Sequence, residues 1–173
     1  MKIVSTDGSS LSNPGSIGWA WADRNGNFGV GGNFKGTNQI AELSALLEAL
    51  RSFRNTKDLL IESDSQYAIN CASIWLKKWR INGWKGSNKK QISNINLIQA
   101  INLEMLARQD RVEFKWVKGH SGDEYNEKVD KLANQAARKW QAGESFGTMP
   151  PEAYNDINKN NNQNNLFNQS SLF

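Results

Sequence analysis

The chain opens with strand-like patterning and changes to helical spacing after about residue 40. Residues 2–7 (KIVSTD) predict a strand, followed by the turn-rich SLSNPGS. Residues 17–22 (IGWAWA) and 27–34 (NFGVGGNF) predict two more strands, joined at Asn25-Gly26, a strong hairpin signal. Leu43, Leu46, Leu47 and Leu50 recur at helical spacing and predict an amphipathic helix over 40–53. Residues 58–63 (DLLIES) read as a buried strand, and 66–80 as a helix that leads into the loop INGWKGSNKK. A helix over 93–108 follows, with Ile95, Ile98, Ile101 and Leu103 among its apolar positions. Residues 111–117 alternate like a strand, and 124–140 carry Val129, Leu132, Ala133 and Ala136 on one helical stripe. The order βββαβααβα predicts an α/β fold, a mixed sheet with helices on its faces.

Past Gly143 the pattern fades. The stretch from Glu152 to Gln169 is dominated by Asn, a composition that cannot build a core. Residues 1–143 are therefore expected to form one domain, 144–161 a flexible Asn-rich linker and 162–173 a tail. The total of 173 residues suits one domain plus such an appendage. The single cysteine, Cys71, excludes an internal disulfide and suits a reducing cytosol, so a cytoplasmic location is expected. Neither a signal peptide nor a membrane span is expected, since strand-like sequence starts at once and no apolar run is long enough.

Four acidic residues change the picture from fold to chemistry. Asp7, Glu42, Asp64 and Asp130 lie in four separate segments whose patterns bring each to one side of a single sheet. Asp7 and Asp64 each end an apolar strand, where an unpaired charge is costly. Glu62 and Glu127 read instead as solvated charges or helix caps. Clustered carboxylates repel and raise one another's pKa unless cations neutralise them. An oxygen-only set suits Mg²⁺ or Mn²⁺ rather than zinc. Divalent ions held this way support phosphodiester hydrolysis. The only histidine, His120, lies between Gly119 and Gly122, ten residues before Asp130. An imidazole exchanges protons near neutrality, so His120 is a candidate proton carrier.

The net charge is +4, and its distribution matters more than its size. No acidic residue lies between Asp64 and Glu104, whereas Lys77, Lys78, Arg80, Lys85, Lys89 and Lys90 do. A basic segment beside an acidic centre suits a polyanion held on one surface and cut at another.

The words TDGSSLSNPGSIGWAW, TNQIAELSALLEAL, ESDSQY, WLKKWRINGWKGSNKKQISN and WVKGHSGDEYNEKVDKLA resemble, in their order, the type 1 ribonuclease H family over residues 1–141. The resemblance implies a ribonuclease H-like five-stranded mixed sheet of order 3-2-1-4-5. It also implies hydrolysis of the RNA strand of RNA–DNA hybrids, giving 5′-phosphates and 3′-hydroxyls. By resemblance, Asp7, Glu42, Asp64 and Asp130 bind two Mg²⁺ ions, with Mn²⁺ able to substitute, and His120 moves a proton or helps product leave. Asn13, Asn38, Gln39 and Gln66 match positions that touch the hybrid's minor groove, where amides suit hydroxyls and base edges. Thr37 and Asn13 match a pocket for a DNA-strand phosphate, although Asn13-Pro14-Gly15 is also a good turn whatever it binds.

The segment with Trp75, Trp79 and Trp84 resembles the basic handle of many bacterial members. Trp75 and Trp79 are four apart and are expected to pack together. Trp84, in the loop, is the better candidate for meeting the DNA strand. Lys77, Lys78, Arg80 and Lys85 are expected to contact phosphates. Two departures from common members stand out, Ile40 and Asp123, where polar or basic residues are frequent. The tail carries Q-x-x-L-F twice, as Gln163 with Leu166-Phe167 and Gln169 with Leu172-Phe173. This resembles the peptide by which bacterial replication and repair proteins dock on the DNA sliding clamp. It implies a clamp partner and a role in primer removal or R-loop clearance; a monomer is expected. Two rival readings are a hybrid-binding module without cleavage and another nuclease or strand-transferase of the same fold. The complete carboxylate set opposes the first, and the basic handle with GHSG-x-x-x-N-E-x-x-D opposes the second.

Overall fold

The computed structural model describes residues 1–170, with side chains through residue 164. Five strands, β1 (Lys2–Ser10), β2 (Gly15–Asp23), β3 (Phe28–Gly36), β4 (Leu59–Ser63) and β5 (Val112–Trp116), form one sheet in the order β3-β2-β1-β4-β5. The hairpins make β1–β2 and β2–β3 antiparallel; β4 joins β1 in parallel, and β5 joins β4 in parallel. Parallel neighbours need crossovers, and the intervening helices supply them.

Strand alternation divides β2 between two layers. Ile17 and Trp19 face the main core, whereas Ala20 and Ala22 join Val129 and Ala133 of helix α5 (Glu124–Gln141). On the main-core side, helix α1 (Asn38–Ser52) buries Leu43, Leu46, Leu47 and Leu50 completely. Full burial of one such side chain is worth about 1.5–3 kcal/mol. Helix α4 (Ile95–Ala107) packs on α1 through Leu97, Ile98 and Ile101. Leu103, at an apolar position of the pattern, is 66% exposed. Cys71 is buried in the main core.

The structure corrects the sequence reading in three places. The helix expected over 66–80 is two helices, α2 (Gln66–Ala72) and α3 (Ile74–Ile81), broken at Ser73 with φ −128° and ψ −89°. Glu62 is not a solvated charge: it is buried and ion-paired with Arg24 and Lys115. The 144–161 segment is not a flexible linker beyond Pro150. Helix α6 (Pro151–Ser170) occupies it and packs on α4 and α1. Its contacts are mostly polar. Buried Asp156 accepts hydrogen bonds from the backbone N–H of Asn96 (3.1 Å) and Leu97 (2.9 Å), two free donors in α4's first turn. Arg51 of α1 grips Glu152 through two nitrogens, at 2.6 and 3.1 Å. Ala153 and Ile157 add the apolar part of the seam.

Candidate active site

The site begins with two neighbouring strand ends. The parallel register pairs Thr6 with Ser63, so Asp7 and Asp64, the next residues of each chain segment, emerge side by side. Adjacent strands lie about 4.8 Å apart. Gly8 then lets α1 press against β1: a Cβ there would overlap the backbone of Ala41 and Glu42. That close approach carries Glu42 to Asp7. Gly18 does the same for α5, whose Ala133 carbonyl occupies the space a side chain would need. Asn134 Nδ2 donates to Ser9 Oγ at 3.3 Å and ties α5 to β1 one turn beyond Asp130. The fourth carboxylate is thus delivered to the same end of β1.

The electrostatics agree with this convergence. The Asp7 carboxyl is pushed up to about 8, first by burial, then by the charges of Asp64 and Asp130, with a smaller push from Glu42. The Gly8 N–H, donating at 2.8 Å, opposes the rise. Glu42 is also raised, by burial and by Asp64, against relief from two donors. These are Ser65 Oγ at 2.6 Å and Asn38 Nδ2 at 2.7 Å, one to each carboxylate oxygen. Among the described residues no three acidic, thiol or imidazole side chains stand close enough together to clasp one ion. Like charges repel, and Glu42 is turned to Ser65 and Asn38, while Asp64 and Asp130 are half-exposed. The donor set is all oxygen, and burial with three acidic neighbours opposes ionisation of Asp7, a penalty that a hard divalent cation would relieve, so the chemistry of the set fits such an ion.

His120 is exposed at the β5–α5 loop with φ 53°. Gly119 of the same loop lies against the Asp64 carboxylate. The loop therefore passes beside Asp64, with His120 as its next residue.

A groove runs from the cluster along the start of α1. Asn13, Asn38, Gln39, Glu42 and Gln66 share its lining, together with Tyr67 and Ser65. Thr37 caps α1, its Oγ1 accepting from Ile40 N at 3.2 Å, and Asn13 Oδ1 accepts from Asn38 N at 3.3 Å. The expected phosphate-pocket pair, Thr37 and Asn13, thus meets at a helix N-terminus, where the dipole favours an anion. The two departures from common members have structural roles. Ile40 is fully buried, and Asp123 caps α5 by accepting from Asn126 N at 2.8 Å.

The basic segment adjoins the groove through a second cleft of about 670 Å³, lined by Gln39, Trp75, Lys78 and Trp79. Trp75 and Trp79 pack as expected, their rings 6.0 Å apart, and both also face this cleft. Trp84 lies in the loop, as expected, with one side turned to the protein. It is half-buried against the main core, with φ 65° and its N–H bonded to the Trp79 carbonyl at 2.9 Å. Arg80, Lys77, Lys78 and Lys85 are all exposed, and Arg80 also donates through Nε to Asn102 Oδ1 of α4. The sequence reading missed Ser65 and Tyr67. The serine directly after Asp64, ahead of a helix, was the available signal for Ser65. Gln163 is exposed on α6. The Leu166, Phe167 and Gln169 side chains, and Leu172 and Phe173, lie outside the described residues.

The model of the family described as RNase H matches residues 1–138, most of the chain. The chain belongs to the RNase H family. A ribonuclease H of Tropheryma whipplei (strain Twist) is 40% identical over 139 residues, covering 80% of this chain and 85% of that protein. A foamy viral protease-reverse transcriptase solved with dsDNA superposes with a TM-score of 0.69 at 26% identity, covering 79% of this chain and 93% of that one. A foamy viral protease-reverse transcriptase solved with an RNA/DNA hybrid gives a TM-score of 0.66 at 24% identity, over 79% of this chain and 20% of that one. Family membership makes the chain a nuclease of the ribonuclease H type, built on the expected mixed sheet of order 3-2-1-4-5.

Proposed function

We propose that the chain hydrolyses the RNA strand of RNA–DNA hybrids at the Asp7–Glu42–Asp64–Asp130 cluster. The observation that carries the reading is the parallel β1–β4 register that sets Asp7 and Asp64 side by side, with Glu42 brought to them by the close approach of α1 at Gly8. Those four side chains would hold divalent cations, Mg²⁺ in the first place with Mn²⁺ as substitute. When bound, the ions supply water activation and stabilisation of the leaving oxygen. The rest falls to the protein. Ser65 and Asn38 hold both oxygens of Glu42 and fix its direction. Asn13 and Thr37 receive a DNA-strand phosphate, while Asn38, Gln39 and Gln66 face the minor groove. The water oxygen attacks phosphorus and the P–O3′ bond breaks. His120 carries the proton to the departing 3′ oxygen or eases product exit.

A cleavage assay tests this against the rival readings. RNA–DNA, RNA–RNA and DNA–DNA duplexes are incubated with the full chain and Mg²⁺, with and without EDTA. Cutting of the RNA strand of the hybrid alone, stopped by EDTA, is the expected result. Hybrid binding without cutting identifies a silent binding module, and cutting of DNA duplex identifies a different nuclease.

Lys77, Lys78 and Lys85 would hold the duplex by its phosphates. Replacing all three with Ala should lower the slope of log K against log salt by about 2–3 and leave turnover at saturating hybrid nearly unchanged. An unchanged slope would show that the handle does not meet nucleic acid.

The duplicated Q-x-x-L-F supports a further part of the reading, recruitment to replication sites by a bacterial-type sliding clamp. A peptide that orders on docking binds each copy weakly, on the order of micromolar. A fluorescence titration of the 162–173 peptide against the clamp should show such binding and lose it on Ala substitution of the four Leu and Phe residues. Binding indifferent to that substitution would remove the clamp from the reading.

A further inference from the structure

Helix α6 lies across the end of the groove just described. Asn160 lines that groove together with Thr37 and Glu42. The same Asn160 lines an adjoining cleft of about 230 Å³, bounded by Lys35 and Thr37 on one side and by Asn161 and Asn164 on the other. The two clefts meet at Thr37 and Asn160, so the polar floor beside the acidic cluster continues onto α6. Ile157, Asn160, Asn161 and Asn164 follow the spacing of one helical face, with Ile157 buried as its anchor. Above that anchor the face offers amides, and Lys35 stands opposite with a cation.

We propose that α6 is a nucleic-acid-binding element, in which Asn160, Asn161 and Asn164, opposite Lys35, bind the DNA strand beside the Thr37–Asn13 phosphate pocket. The proposal rests on the hybrid-cleaving reading above and extends its binding surface. Side-chain amides donate to phosphate and sugar oxygens without carrying charge. From Asn160 to Asn164 the helix rises about 6 Å, close to two nucleotide steps at about 3.4 Å each. The face is also held rigidly: Asp156, one turn before Asn160, is fastened to the N-terminus of α4, and Glu152 to Arg51.

The test compares wild type with two full-length triple variants, Asn160→Ala/Asn161→Ala/Asn164→Ala and Asn160→Lys/Asn161→Lys/Asn164→Lys. Steady-state cleavage is measured on a long hybrid and on one whose DNA strand stops at the phosphate pocket. The alanine variant should raise KM about tenfold on the long hybrid, from the loss of three weak hydrogen bonds, and leave kcat within about twofold. On the short hybrid it should match wild type. The lysine variant should bind the long hybrid more tightly and steepen its salt slope by about 2–3, a gain that misfolding cannot produce. Equal KM for wild type and the alanine variant, or no steepening with lysines, would overturn the proposal. A lower KM in the alanine variant would overturn it in another way, by showing that α6 obstructs the groove. Absence of cleavage by wild type would instead strike at the hybrid-cleaving reading itself.

Discussion

Asp7→Asn and Asp64→Asn variants are expected to lose hybrid cleavage by a factor on the order of 10³ or more while keeping hybrid affinity close to wild type. Asn preserves the shape of Asp but removes the anionic oxygen that a hard cation requires. The two residues emerge side by side from β1 and β4, so either change breaks the same centre. Binding should survive because the groove at Asn13–Thr37 and the lysines of the handle are elsewhere. His120→Ala provides the contrast. His120 is exposed on its loop, so its loss should slow turnover on the order of 10²-fold and leave measurable activity. Single-turnover cleavage and fluorescence anisotropy on the same hybrid separate the two effects. Wild-type-like turnover in either Asn variant would remove the acidic cluster from the chemistry.

A second large effect concerns stability without divalent ions. The Asp7 carboxyl stands at about 8 in the folded protein, against an ordinary value of 3.8. Between those values the folded state binds more protons than the unfolded one, so stability falls as pH rises from about 4 to about 8. Below about pH 4 both states are protonated and the penalty vanishes. Asp7→Asn carries no such charge. In EDTA the variant should therefore be more stable than wild type at pH 8, by on the order of a few kcal/mol, and the gap should close toward pH 4. Added Mg²⁺ should stabilise wild type more than the variant, because it binds the ionised form. Thermal melts at pH 4, 6 and 8, with EDTA and with Mg²⁺, measure this directly. A wild type that melts higher than Asp7→Asn at pH 8 in EDTA would mean that neither burial nor the neighbouring acids burden the Asp7 carboxylate.

The sheet and its carboxylates were legible because each signal is local. Apolar runs ending in Asp7 and Asp64, and the leucine spacing of α1, needed no knowledge of distant residues. Gly8 and Gly18, which decide how closely α1 and α5 approach, lie within readable strands, but their function depends on partners far along the chain. What escaped reading was long-range and polar. Helix α6 buries few apolar side chains, and its docking depends on Asp156 reaching α4, 60 residues away, and Glu152 reaching Arg51, 101 residues away. An Asn-rich composition gives no hint of such pairs. Glu62 failed for the same reason, since Arg24 and Lys115 come from other strands or turns. The loop position of Trp84 was legible; the left-handed backbone that half-buries it there was not.

The link between Asp156 and the start of α4 also orders events in time. A chain is made from its N-terminus, and the five strands are complete before α6 exists. During that interval the Asn96 and Leu97 amides of α4 lack the carboxylate that later receives them. The N-terminal turn of α4 must therefore stay open to water until residue 156 has left the ribosome. The first turn of α4 is thus completed only once α6 has been made, and a chain cut short before α6 would carry every acidic residue of the cluster on a body whose α4 lacks the Asp156 carboxylate at its start.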